Sequence, residues 1–244
     1  MAEKIINTIV NHHFELYREL ANTSEFVNNI EHCKSPNNTF PNFIFNENDS
    51  FEIEQIQTQI KKEILPSFWI TESKTITTQL NKKGFKLIRA WPLLVMDKKE
   101  LIPPKEVEGF SLTKVQTTEA LIEWKYIVEA EYNYKFTIEH LSNWLKNSKI
   151  DLFIGQIENN VVSATLNFNY NNIVGSHLTA TRSDFRKKGI GMQTVYSALN
   201  YAFKNGNETS IASTTDLGKN AWKKIGYNVL DDKLYINWFL NSSK

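Results

Sequence analysis

The sequence predicts a mixed α/β protein of the α+β kind, a mostly antiparallel sheet flanked by helices, and three patterns carry that expectation. Three strand-like runs, Leu152 to Ile157, Val161 to Tyr170 and Ile173 to Thr181, are separated by the turn residues Glu158-Asn159-Asn160 and Asn171-Asn172, which predicts an antiparallel meander. Two helical patterns precede it. One is capped by Thr118 and places Leu121, Trp124, Ile127 and Val128 on one face; the other is capped by Thr137 and does the same with Ile138, Leu141, Trp144 and Leu145. Third, the last of these strands runs into Arg186-Lys187-Lys188-Gly189-Ile190-Gly191 and then a helix whose stripe is Met192, Val195, Tyr196, Leu199, Ala202 and Phe203, stopped at Asn205-Gly206.

The remaining elements follow in order along the chain. Residues Met1 to Leu20 place Ile5, Ile6, Ile9, Val10, Leu16 and Leu20 at helical spacing, with charges at Glu3, Lys4, Glu15, Arg18 and Glu19. Phe40 to Phe45 reads as a strand, Phe51 to Ile64 as a helix with Ile53, Ile56, Ile60 and Ile64 on one face, and Pro66 to Ile70 as a strand. Lys74 to Lys83 reads as a helix closed by Gly84-Phe85, and a strand follows toward Met96. The aromatic residues Phe40, Phe43, Phe45, Phe68, Trp69 and Trp91 are expected in the core of this half, or lining a cleft between halves. Paired prolines, Pro103-Pro104, favour an extended connector and divide the chain at 1–104 and 105–244. Downstream, Thr209 to Thr214 reads as a strand, Asp216 as the cap of a helix from Leu217 to Ile225, and Gly226-Tyr227 as its stop before a final hairpin.

Composition narrows the class. The 244 residues are 41% hydrophobic, enough for a buried core, and a formal net charge of +1 supplies no basic field for nucleic acid. The single cysteine, Cys33, excludes an intrachain disulfide and suits a reducing compartment. No signal-peptide centre and no membrane-length apolar run occurs, so the expectation is a soluble, cytoplasmic protein without a membrane partner. His12-His13 and His32-Cys33 lack the ligand spacing of a structural zinc site, and no metal is expected.

A strand, a glycine loop and a helix start point several backbone N–H groups at one spot, which is what a pyrophosphate requires. Gly189 and Gly191 let an anion approach the main chain, and Arg186, Lys187 and Lys188 supply charge; an ordinary solvated turn is the alternative reading. With Leu178-Thr179-Ala180-Thr181 before it, and Thr215-Asp216-Leu217-Gly218 and Trp222-Lys223-Lys224-Ile225-Gly226-Tyr227 after it, the segment from Phe185 to Gly191 resembles the GNAT superfamily of acyl-CoA-dependent N-acyltransferases. The resemblance implies the GNAT fold and acetyl-CoA as cosubstrate. It places the diphosphate on N–H groups from Arg186 to Met192, Ile190 included, the pantetheine arm along Leu178, Thr179 and Ala180, and the adenosine end near Lys219 or Lys223. It also implies a small-molecule amine or a peptide amino terminus as acceptor.

The first half repeats the element order more faintly, Gly84-Phe85 echoing Gly226-Tyr227, while its counterpart of the basic loop, Asn46-Glu47-Asn48-Asp49-Ser50, is acidic and free of glycine. This predicts two GNAT-like domains in tandem, the first degenerate and without cofactor; a generic α/β domain is the alternative. A tandem chain is expected as a monomer or homodimer.

Amine acetylation needs an unprotonated nucleophile and so a base, a donor for the thioester oxygen, and a proton or solvation for the departing thiolate. The resemblance takes the donor from a backbone N–H on the strand with Leu178 and Thr179. His177 is the candidate base, or else a structural strand histidine. Glu131, with Glu129, lies near the expected acceptor pocket, or on a solvated helix face. Trp222 stands where many relatives carry tyrosine; its N–H can solvate sulfur but not yield a proton, and packing is the alternative. Tyr196 and Tyr227 fit packing better. A non-catalytic acyl-CoA sensor is the competing function, and a nucleotide-binding module a third, disfavoured because no Lys-Ser/Thr follows the glycines.

Overall fold

Apolar residues three and four apart bury one side of the first helix, α1 (Ala2–Ala21), through Ile9, Val10, Phe14, Tyr17 and Leu20. The structure is a computed structural model that describes residues 2–21, 24–27, 30–35, 40–45, 52–216 and 218–239. Two compact units are present: Met1–Pro92 with Asp231–Lys244, and Leu93–Leu230.

In the first unit α1 is followed by β1 (Ser24–Val27), β2 (Ile30–Lys34), β3 (Asn42–Phe45), α2 (Ile53–Lys61), β4 (Phe68–Thr71), α3 (Lys74–Lys82) and the start of β5 (Phe85–Asp97). β1–β2 and β2–β3 are antiparallel, and β3–β4 is parallel. Ser73 caps α3 by accepting the Ile76 N–H at 3.1 Å. Ile44, Ile56, Trp69, Leu80 and Phe85 form its core. Cys33 is fully buried there, and burial pushes its thiol up to about 12.

The second unit completes β5 and adds β6 (Phe110–Lys114), α4 (Thr118–Tyr132), α5 (Ile138–Lys146), β7 (Ile150–Ile157), β8 (Asn160–Tyr170), β9 (Ile173–Thr181), α6 (Ile190–Lys204), β10 (Thr209–Ser213), α7 (Lys219–Lys224) and the first residues of β11 (Asn228–Phe239). Within this unit the strands run β5, β10, β9, β8, β7, β6. Only β9–β10 is parallel; the other neighbours are antiparallel. Asn171 and Asn172 have φ of 53° and 60°, the two left-handed residues that a tight two-residue hairpin demands, and this fixes Tyr170 opposite Ile173. On one face of β8, Ser163 meets Thr194 of α6 at 2.7 Å and Asn167 donates to the Ala198 carbonyl at 2.9 Å. The Trp124 indole of α4 donates to the Thr165 carbonyl at 2.9 Å. The mixed α/β class with a mostly antiparallel, helix-flanked sheet is therefore as the sequence predicts.

Several local expectations are corrected. α4 is capped by Thr117, whose hydroxyl accepts the Ala120 N–H at 3.3 Å, not by Thr118. α2 stops at Lys61; Glu63 takes a φ of 60°, leaving Ile64 exposed while Leu65 enters the core. Asp216 forms an ion pair with Lys219 at 2.6 Å instead of capping, and the short helix starts behind Gly218. The expected final hairpin is one strand, β11, whose residues Tyr235 to Trp238 pair antiparallel with Phe68 to Thr71 of β4 in the first unit. The units divide between Pro92 and Leu93, and again between Leu230 and Asp231, not at Pro103-Pro104: β5 stays extended through Pro92, and β11 carries the chain end back to the first unit. The acidic run 46–50, with Phe51 and Leu217, lies outside the described residues. Among the described residues no helix is long and apolar enough to cross a membrane.

Candidate active site

The site begins where β9 loses its neighbour. Its parallel pairing with β10 covers Ile173↔Thr209, Val174↔Ser210 and Gly175↔Ile211, and then stops, although β9 runs on to Thr181 and β10 to Ser213. On the other side β9 stays paired with β8 but changes register between Ala164 and Leu166: Ala164 faces Ala180 and Leu166 faces His177. Two residues, Leu178 and Thr179, thus oppose the single Thr165, a β-bulge, and Leu178 absorbs the extra length at a φ of 48°. The Thr165 and Thr179 hydroxyls lie 2.8 Å apart across it. One strand edge, kinked and no longer paired with β10, is what the segment 176–181 presents.

At the end of that edge a 3-10 turn (Ser183–Phe185) leads into the glycine loop. Lys187 (φ 63°) and Gly189 (φ 84°, ψ −8°) are both left-handed, and α6 starts directly behind Gly189. Gly189 has no side chain to cap the helix, and the first bond of the ladder is Gln193 N–H to the Gly189 carbonyl at 3.0 Å. The N–H groups of Ile190, Gly191 and Met192 lie ahead of that bond, aimed out of the helix start with its positive dipole end. Gly191 is glycine for closeness instead of torsion: a Cβ there would stand 3.3 Å from Thr181 Oγ1.

The basic side chains divide. Arg186 is ion-paired with Glu131 at the end of α4, and its Nε donates to the Thr181 carbonyl at 3.1 Å. The Lys188 ammonium sits 5.0 Å from the Phe185 ring centre, with the Arg182 guanidinium 5.2 Å from the same ring; Arg182 is also paired with Asp184 at 2.9 Å. Lys187 and Lys188 are exposed. Lys223 is exposed on α7 and Lys219 is held by Asp216. Leu178 and Ala180 are buried, and Thr179 is half-buried.

The three catalytic candidates stand on different elements, β9, α4 and α7. His177, one residue before the bulge, is half-buried, and its carbonyl accepts the Thr165 hydroxyl at 3.3 Å. Glu131 is committed to Arg186. Trp222 packs edge-on against Tyr227 at 5.0 Å and 81°, on the core beneath α7. Tyr227 is buried with its hydroxyl on Ser210, and burial raises its pKa above the ordinary phenol value. Tyr196 is half-buried on α6. Glu129 ties α4 to the next loop by accepting the Phe136 N–H at 2.5 Å and the Lys125 ammonium at 2.9 Å.

One residue at the site escapes the sequence reading. Tyr132, the last residue of α4, donates its hydroxyl to the Thr179 carbonyl at 2.9 Å and stacks on Tyr134 at 5.8 Å and 5°. The residue is exposed at its outer side, and the protein around the hydroxyl raises its pKa above the usual phenol range by desolvation. The alternation Tyr132, Tyr134, Phe136 after a helix was the available signal, but a contact spanning 47 residues is set by the fold alone.

Comparison with known proteins bears on this geometry. No family model matches the sequence, and no curated protein does. Solved structures do match. A GCN5-related N-acetyltransferase from Kribbella flavida superposes with a TM-score of 0.74 over 96% of each chain at 13% identity. One from Sphaerobacter thermophilus gives 0.60 over 87% of this chain and 81% of that one at 11% identity. A tandem GNAT protein from the clavulanic acid biosynthesis pathway gives 0.59 over 85% and 77% at 8% identity.

Proposed function

We propose that this chain, which has the fold of the GCN5-related N-acetyltransferases, transfers an acetyl group from acetyl-CoA to the amine of a small molecule or a peptide amino terminus, using the second unit. The observation that carries this reading is the open first turn of α6: three N–H groups ahead of the helix ladder, behind a left-handed glycine and beside exposed lysines. A diphosphate fits that donor set in charge and in hydrogen-bonding sense. The edge of β9 beyond Gly175 suits an extended, amide-bearing arm, which would lie with its thioester end toward the bulge at Leu178 and Thr179.

In the transfer, a neutral amine nitrogen bonds to the acetyl carbon, the carbon–sulfur bond breaks, and the nitrogen gives one proton to a base or to water. The thioester supplies a leaving group whose thiol pKa is about 8.5, so the thiolate departs without an obligatory acid. This suits a site where Trp222 and Tyr227 serve packing. The donor to the carbonyl oxygen is assigned to a backbone N–H at the bulge, and His177, adjacent to it in sequence, to the proton. Lys223 is assigned to the nucleotide end. The first unit is read as a degenerate counterpart without cofactor: in both halves a helix ends at a left-handed glycine, Gly84 (φ 87°) and Gly226 (φ 112°), before a strand.

A second reading, a non-catalytic acyl-CoA sensor, is favoured by the commitment of Glu131 to Arg186 and of Trp222 to packing against Tyr227. Thiol release from acetyl-CoA across a panel of amines separates the two. Transfer predicts amine-dependent release above solvent hydrolysis; saturable CoA binding with no release for any amine would favour the sensor.

A further inference from the structure

The end of α4 lies across the same strand edge that the acyl-donor arm would use. Strand alternation shows which groups are involved. The Arg182 N–H bonds to the Val162 carbonyl at 3.0 Å, so that pair is hydrogen-bonded, and Thr181↔Ser163 and Ala180↔Ala164 follow in step. The peptide groups of Ala180 therefore turn toward β8, and those of Thr179 and Thr181 turn away from it, to the side where pairing with β10 has ended. Both outward carbonyls already hold side-chain donors: Thr179 accepts the Tyr132 hydroxyl at 2.9 Å, and Thr181 accepts Arg186 Nε at 3.1 Å. Glu131, next to Tyr132, is ion-paired with that same Arg186.

We infer that Tyr132, with the Glu131–Arg186 pair, is a clasp over the outer edge of β9 that an incoming amide-bearing arm must displace, making Tyr132 a determinant of how strongly the site distinguishes ligands with an arm from ligands without one. The inference rests on the function proposed above. A chain pairing along a strand edge runs about 4.8 Å from it. The phenol oxygen, 2.9 Å from the Thr179 carbonyl, occupies that lane. The clasp is of a strength that binding can open. One arm is a single neutral hydrogen bond, and the other an ion pair whose side chains are 50% and 36% exposed, the weakly stabilising kind. Opening leaves the diphosphate cradle intact, because the N–H groups of Ile190, Gly191 and Met192 belong to α6 and not to the clasp. The Tyr132–Tyr134 stack keeps the ring in place when the hydroxyl is removed.

The test is the binding of two probes to the full chain by calorimetry: CoA, and adenosine 3′-phosphate 5′-diphosphate, which keeps the nucleotide and diphosphate but lacks the arm. Tyr132→Phe removes one hydrogen bond that CoA must break, so it should tighten CoA about threefold to tenfold and leave the arm-less nucleotide unchanged. Unchanged or weaker CoA binding, or an equal shift for both probes, would overturn the clasp. Should Tyr132→Phe fail to fold, Glu131→Gln carries the same comparison, read as the ratio of the two affinities so that the common change of charge cancels. A ratio that moves toward CoA supports the clasp, and a ratio that stays put refutes it. If the unaltered protein binds neither probe, the proposed function itself fails, and the clasp with it.

Discussion

Gly189 is the position where conformation and anion binding can be pulled apart. Its φ of 84° lies in the left-handed region, while a Cβ added there would meet only Val107 Cγ2 at 3.5 Å, an ordinary contact. Substitution is thus penalised for torsion and not for space. An L side chain held left-handed costs about 1 to 2 kcal/mol. Because Gly189 is the residue from which α6 starts, a chain that relaxes to negative φ swings the Ile190, Gly191 and Met192 N–H groups away from their common target. CoA must then restore the turn at that cost, so Gly189→Ala should weaken CoA binding about fivefold to thirtyfold, the same 1 to 2 kcal/mol expressed as an equilibrium constant. Asparagine tolerates this region better than alanine and β-branched valine worse, so affinity should fall in the order Gly, Asn, Ala, Val. Calorimetric Kd values, with Tm from circular dichroism as a folding control, test the series. Equal CoA affinity across all four folded proteins, or an inverted order, would refute the claim that this left-handed turn aims the donors.

Three further outcomes follow from the same structure. Gly226→Ala places a Cβ 2.1 Å from the Glu100 carbonyl oxygen at a φ of 112°, against backbone that cannot give. It should cost more than about 3 kcal/mol. Gly206→Ala, at φ 101° with nothing within 4 Å, should cost only about 1 kcal/mol; urea melts of the two variants compare them. His13 is buried, and desolvation lowers its pKa to about 4 from 6.5, so the folded state holds fewer protons than the unfolded one between those values. Its contribution is full above pH 6.5 and is lost as pH falls toward 4, on the order of 3 kcal/mol. Burial lowers His32 and His140 in the same direction, so His13→Gln should flatten the acid limb of a stability profile without abolishing it. Trp222→Phe keeps an aromatic edge against Tyr227; it should cost about 1 kcal/mol of stability and leave amine-dependent thiol release unchanged. A collapse of release in a folded Trp222→Phe protein would return the indole N–H to the chemistry.

Legibility in the sequence followed the range of the physics. The β8–β9 hairpin was readable because Asn171-Asn172 is a local turn signal, and β9 itself has the bounds of the strand-like run Ile173 to Thr181. The glycine loop was readable because two glycines, three basic residues and a helical stripe sit within one short stretch. Local rivals produced the misses. Thr117 and Thr118 are equivalent caps on paper, and only the Ala120 N–H bond separates them. Asp216 was a good cap by type but found Lys219 first. The double proline reads as a domain joint, yet it lies within the second unit, because the division falls inside β5 between Pro92 and Leu93, where no local pattern breaks the strand. The pairing of Arg186 with Glu131, 55 residues apart, and of Tyr132 with Thr179, 47 apart, is tertiary. Both contacts depend on where α4 ends against β9.

The central claim concerns three backbone amides, and their resonances report on it most directly. Titrating the isotope-labelled protein with CoA, and separately with inorganic pyrophosphate, should shift the amide signals of Ile190, Gly191 and Met192 with both ligands, while those of Thr75, Ile76 and Thr77 in the first turn of α3 stay put. Shifts confined to the first unit, or none at millimolar ligand, would contradict the account.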